Sequence, residues 1–162
     1  GQFRNLSSVE AQGIEASWQG SFSEIIDLSL SVTKQRIIST STALGDEPFF
    51  EKPIPSRPDF FASSSIIYTP KLLSTDDRKF SVSWYTTFVE EFNFVLEGGR
   101  RNDDNYVPQQ FVNDLGVSYQ MDDKNLSFAF QLNNITDEEV FDLVSIPRPG
   151  RNFRVKVRYT VK

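Results

Sequence analysis

Histidine and cysteine are both absent from the 162 residues, and each absence closes off a region of chemistry. Without them the chain can build no Ser-His-Asp triad, no thiol nucleophile, no thiolate or imidazole zinc site and no disulfide. Carboxylates, Lys, Tyr and hydroxyls remain, and none of them is a candidate for catalysis, cofactor binding or metal ligation. A positive balance is also missing: 17 Lys+Arg stand against 22 Asp+Glu, a formal net charge of −5 with a pI near 4.8. That argues against nucleic-acid partners, whose nonspecific affinity comes from Lys and Arg neutralising phosphates. No apolar run exceeds three residues, so no transmembrane helix is possible, and no charged-then-apolar secretory signal stands at Gly1. What is plentiful is aromatic: 15 Phe, 5 Tyr and 2 Trp in a chain only 38% hydrophobic. A membrane role would have to come through strands.

The aromatics fall into alternating patterns. Phe153, Val155, Val157, Tyr159 and Val161 alternate with Arg154, Lys156, Arg158, Thr160 and Lys162, a period of two and hence a strand with one apolar and one cationic face. The same design recurs in Leu126–Leu132, Leu115–Met121, Phe80–Phe88 and Ile26–Val32, and more weakly in Ile14–Trp18 and Ile66–Tyr68. Seven strands follow. Short links at 19–24, 71–79 and 122–125 carry turn residues, while long ones at roughly 34–58, 93–108 and 136–150 hold most of the prolines. Antiparallel hairpins with all short turns at one end and all long loops at the other are therefore expected. A short helix is expected inside 137–146 and no longer helix elsewhere.

Two all-β architectures compete. A two-sheet sandwich is the commoner use of such strands. Strands of about ten residues, however, match a tilted bilayer crossing better than the five or six usual in sandwiches. Directions that alternate also bring Trp18, Tyr68, Tyr119 and Tyr159 to the short-turn end of the apolar face, with Trp84 on the same face and Phe22, Phe80 and Phe128 near by. Trp and Tyr at one level form the interfacial girdle of a transmembrane barrel. Each alone would pass as a core aromatic.

In chain order stand Gly13-Ile14-Glu15, then Leu28 to Thr33 and a loop with Pro53, Pro55 and Pro58. After Ile66-Ile67-Tyr68 come Asp114 to Tyr119, Leu126 to Asp137, and Pro149-Gly150-Arg151-Asn152-Phe153 with the last strand. Through these segments the chain resembles the C-terminal portion of a TonB-dependent outer-membrane receptor. The resemblance implies an antiparallel transmembrane β-barrel of twenty-two strands, to which residues 1–162 contribute about seven. The plug and earlier strands would lie outside this chain, and the final strand would pair with the barrel's first. It implies no enzyme and no cofactor. The function implied is energised import of a siderophore, glycan, peptide or similar nutrient across the bacterial outer membrane. Partners would be the remaining barrel strands, the plug, a TonB-type periplasmic energy coupler acting through it, and the lipid bilayer. The C-terminus and short turns would be periplasmic. Gly150, Phe153, Val155, Val157, Tyr159 and Val161 match a barrel assembly signal, although the family usually ends in Phe or Trp and this chain ends Val161-Lys162.

Ligand contacts would then come from the long loops, with Phe49, Phe50, Arg100, Arg101, Tyr106 and Phe141 as candidates. Aromatic rings stack on sugar or catechol, and an arginine pair holds a carboxylate or phosphate. The plainer reading is packing at the barrel mouth for the Phe pair and a local ion-pair cluster of Arg100-Arg101 with Asp103-Asp104. Asn102 to Asn105 looks like part of a calcium loop but lacks its Gly and distal Glu. Adjacent carboxylates such as Glu90-Glu91 point to opposite faces of a strand and make poor acid/base dyads. Arg154, Lys156 and Arg158 should face the lumen, neutralised by acidic plug or neighbouring-strand residues. Two other functions fit the composition: a soluble β-sandwich ligand-binding module, and a passive outer-membrane channel or scaffold. Detergent dependence separates the first from the barrels; a plug separates importer from pore.

Overall fold

The computed structural model describes residues 8–42, 49–95, 102–143 and 146–161. Its strands are β1 (Val9–Phe22), β2 (Ile26–Ser39), β3 (Phe60–Tyr68), β4 (Arg78–Val89), β5 (Phe92–Asn93), β6 (Tyr106–Val107), β7 (Gln110–Met121), β8 (Leu126–Asn133), β9 (Phe141–Leu143), β10 (Ile146–Pro147) and β11 (Asn152–Tyr159). Seven of them form a single antiparallel sheet in the order β1-β2-β3-β4-β7-β8-β11. The small pairs β5-β6 and β9-β10 lie within the second and third long loops.

Short turns join the sheet strands at one end. Ser23 and Glu24 adopt φ of 52° and 58°, and the Ile25 N–H donates to the Phe22 carbonyl (3.1 Å) to close the first turn. At the third, Asn125 ends a 3-10 turn over Asp122–Lys124 in the left-handed region, which Asn tolerates better than most residues. The middle link, 69–77, contains a 3-10 turn at Lys71–Leu73. Expected links and strands shift in detail. β1 and β2 run to fourteen residues each, and β2 continues past Lys34, so the first long loop begins at Thr40. Among the described residues of 137–146 there is no helix where one was expected; β9 and β10 occupy extended backbone there. Among the described residues no helix is long and apolar enough to cross a membrane.

All seven long strands occupy one layer, so among the described residues no second sheet covers the apolar face as a sandwich would require. Among the described residues the buried hydrophobics are Val107 and Val140, both in the loop regions. The side chains of an isolated soluble domain would be buried far more extensively. This is an open segment of barrel wall, whose apolar residues need an apolar solvent. β1 and β11 run in the same direction, toward the short-turn end. Closing these seven strands on themselves would force a parallel pair into an otherwise antiparallel sheet.

Candidate functional site

Because directly paired residues share a face, the register fixes what each face carries. The row Phe22-Ile26-Tyr68-Val82-Val117-Phe130-Val155 crosses all seven strands. The row above it is Gly20-Leu28-Ile66-Trp84-Leu115-Leu132-Phe153. Every residue within the paired strands that alternation placed on the apolar side falls on this one face. Leu30, Ile66, Phe128, Val155 and Val157 are more than two-fifths exposed. One polar notch interrupts the face: Ser64, Thr86 and Asn113 share a row. Trp84 Nε1 donates to Thr86 Oγ1 (3.1 Å), which donates to Asn113 Oδ1 (2.9 Å).

The five interface candidates occupy five different rows. Traced across the sheet to β4, Trp18 falls level with Thr86, Tyr68 with Val82, Tyr119 with Phe80 and Tyr159 with Arg78, while Trp84 stands on β4 itself. From β1 to β11 the line thus descends eight residues over six strand steps. At about 3.3 Å per residue and about 4.8 Å per strand this is a slope of about 42° to the hydrogen-bonding rows. The Trp18 ring lies over Gly20, where a Cβ would come within 2.7 Å of it, and leans toward Phe22 with 6.3 Å between centroids. Trp84 stands apart, since its N–H is taken up by Thr86 within the sheet.

The opposite face is mostly hydroxyl, amide and charge. Ser29 and Ser65 hydrogen-bond across strands at 2.8 Å, as do Ser81 and Ser118. Arg154, Lys156 and Arg158 stand on this face, opposite Gln131, Ala129 and Ser127 of β8. Among the described residues none of the three cations has an ion-pair partner.

All three long loops meet at the upper end of this polar face. A cleft of about 640 Å³ there takes its lining from each of them, including Pro58, Phe92, Phe141 and Arg148, above Asp114 and Arg154 of the sheet. Its size suits a small-molecule site. Of the ligand candidates, Phe141 lines this cleft. Tyr106 lines a smaller one of about 190 Å³, with Phe92 common to both. Phe49 and Phe50 sit in a turn that returns to the end of β2, where Ile38 bridges Pro53, and Phe50 is 44% exposed. Arg100 and Arg101 lie outside the described residues.

Several polar residues that sequence reasoning did not single out hold the loops in place. Buried Gln110 acts as a backbone mimic: its Oε1 accepts from Phe141 N–H (3.0 Å) and its Nε2 donates to the Phe141 carbonyl (3.3 Å). Buried Asn134 does the same for Glu138, at 2.8 and 2.7 Å, while its own N–H donates to Asp114 Oδ1 (2.7 Å). Asp137 Oδ1 accepts from Arg151 N–H (2.7 Å), and the Arg151 guanidinium lies 3.7 Å from the same carboxylate. A Cβ on Gly150 would stand 2.7 Å from that oxygen. The Asn-Asn-Ile-Thr-Asp and Pro-Gly-Arg segments are thus two halves of one loop clamp. Their side-chain types, small amide and acid followed later by Gly-Arg, were the available signal. At Asn102, Oδ1 accepts from Asp104 N–H (3.2 Å) and caps a 3-10 turn.

No curated protein matches the chain. A family model described as "TonB dependent receptor-like, beta-barrel" matches residues 1–135, from before β1 to just past β8.

Proposed function

We propose that this chain, which belongs to the TonB-dependent receptor-like β-barrel family, forms part of the wall and outer loops of an active importer in the bacterial outer membrane. The observation that carries the reading is an apolar face that spans all seven strands of the sheet, set back to back with a polar one. Its dimensions agree. If Trp18, Tyr68, Tyr119 and Tyr159 mark one membrane level, the strands tilt by about 42°, within the range of about 35–45° for such barrels. The apolar side of β7 from Phe111 to Met121 then covers about 25 Å of height, the thickness of an outer-membrane apolar band.

In this reading the apolar face meets lipid, the polar face lines the lumen, and Trp18, Tyr68, Tyr119 and Tyr159 lie at the periplasmic interface. The C-terminus is periplasmic and the loop cluster extracellular. Ligand enters at the cleft beneath the three loops, where Phe141 and Phe92 offer stacking surfaces, and the polar face then guides it inward. A plug and a TonB-type coupler, supplied outside residues 1–162, gate and energise passage. No bond is made or broken in the ligand, so no catalytic residue is needed. A siderophore, glycan or peptide each suits a cleft of mixed aromatic and polar lining.

The test is uptake by cells that carry the full-length protein. Accumulation of a ligand should stop when the proton-motive force is dissipated; uptake that persists unchanged would favour a passive channel. Recovery of the protein in the detergent-free soluble fraction as a monomer would remove the membrane reading altogether.

A further inference from the structure

The unpartnered cationic row on β11 identifies the chemistry of the strand that must adjoin it. Arg154, Lys156 and Arg158 stand at alternate positions of one face, about 6.8 Å apart, closer than the screening length of about 8 Å at physiological ionic strength. Three like charges at that spacing repel unless something opposes them. Their neighbours on the β8 side are Gln131, Ala129 and Ser127, none of which can. Asp114 shares the upper cleft with Arg154 but makes no ion pair with it. The other edge of β11 is open among the described residues, and a barrel wall cannot leave a row of backbone donors and acceptors unpaired in a bilayer.

We propose that the closing strand beside β11 carries carboxylates at alternate positions, facing Arg154, Lys156 and Arg158 on the lumen side. The inference rests on the barrel reading given above. A paired strand sets its side chains about 4.5–5.5 Å from those of its neighbour with the same period of two, so it can oppose all three cations at once. A second copy of this chain does not fit. Its free edge, β1, presents Val9, Ala11, Gly13, Glu15, Ser17 and Gln19 on the polar face, a single acid, and would run parallel to β11.

The test uses the full-length receptor folded in outer-membrane vesicles. A zero-length carbodiimide should join Lys156 Nζ to an Asp or Glu of the strand hydrogen-bonded to β11, as read by peptide mass spectrometry. Linkage of Lys156 only to a plug segment would overturn the inference. In parallel, Arg154→Glu/Lys156→Glu/Arg158→Glu should lower the heat-modifiable, folded fraction at least about fivefold. Exchanging the opposing carboxylates for Lys should restore it. A triple variant that assembles like the wild type, or one that the exchange fails to rescue, would overturn the inference even if no cross-link is captured. Absence of any heat-modifiable form in the wild-type receptor would instead overturn the barrel reading beneath it.

Discussion

The two faces of this sheet are built from the same strands and stabilised by opposite means. On one, side chains from Trp18 to Tyr159 stand exposed and make few contacts beyond neighbouring rings, such as the Phe60-Phe88 and Phe88-Phe111 pairs at 5.8 and 6.5 Å. On the other, hydroxyls pair across strands, and the loops fold over the upper rim through amide and carboxylate clamps. A soluble protein would invert this, burying the apolar side and leaving the polar side bare. The difference teaches that the surroundings of the apolar face are part of the fold: its hydrophobic burial needs an apolar partner from outside the sheet, while the polar side is satisfied within it.

The sharpest way to break the comparison is to put a charge on each face. Leu115→Arg should destabilise the barrel in lipid vesicles by about 2–4 kcal/mol, whereas Ser63→Arg, on the polar face between Ser31 and Thr87, should change stability by no more than about 0.5 kcal/mol. Denaturant titration of the vesicle-embedded receptor reads both. Equal costs would mean that the faces do not differ in solvent.

The next contrast uses two adjacent residues. Gln110→Ala removes both hydrogen bonds to Phe141 and leaves its backbone groups unpaired, at an expected cost of about 1–3 kcal/mol, with faster proteolysis of the third long loop. Phe111→Ala, one residue on and on the other face, should leave that proteolysis unchanged. Asp137→Ala should cost about 1 kcal/mol or somewhat more by orphaning the Arg151 N–H, and Gly150→Val should mimic it by crowding the same carboxylate; loop proteolysis again reports both. The smallest effect belongs to the exposed Lys71–Glu24 pair at the short turns, 3.4 Å apart. Lys71→Ala should shift stability by no more than about 0.5 kcal/mol in a denaturant titration.

The strands were legible where alternation coincides with the apolar band. β8 and β11 read directly because every second residue is apolar throughout, whereas β7 read short, from Leu115, because Asn113 breaks its apolar row. β1 and β2 read short because the pattern lapses above the band: on the apolar face Glu10, Gln12, Lys34 and Arg36 replace hydrophobics, while Val9, Ala11 and Ile37 sit on the other. The strands continue there, and the solvent changes. β5, β6, β9 and β10, of two or three residues each, are too short to show any period. The loop cluster was the least legible part. Gln110 with Phe141, and Asp137 with Arg151, are contacts between residues 31 and 14 positions apart; local pattern carries no sign of the first, and residue types alone hint at the second. The ligand candidates were chosen by residue type alone, and Phe141 and Tyr106 line different clefts.

The central claim, that one face meets lipid and the other a watered lumen, can be read residue by residue. This chain has no cysteine, so single Cys residues placed along β7 from Gln110 to Met121 can each carry a spin label in the membrane-embedded receptor. Power saturation should show an oxygen-accessible set at 111, 115, 117, 119 and 121, and at the alternate positions a set accessible to a water-soluble nickel reagent or shielded from both. Uniform access of the nickel reagent to both sets, with no period of two, would contradict the account.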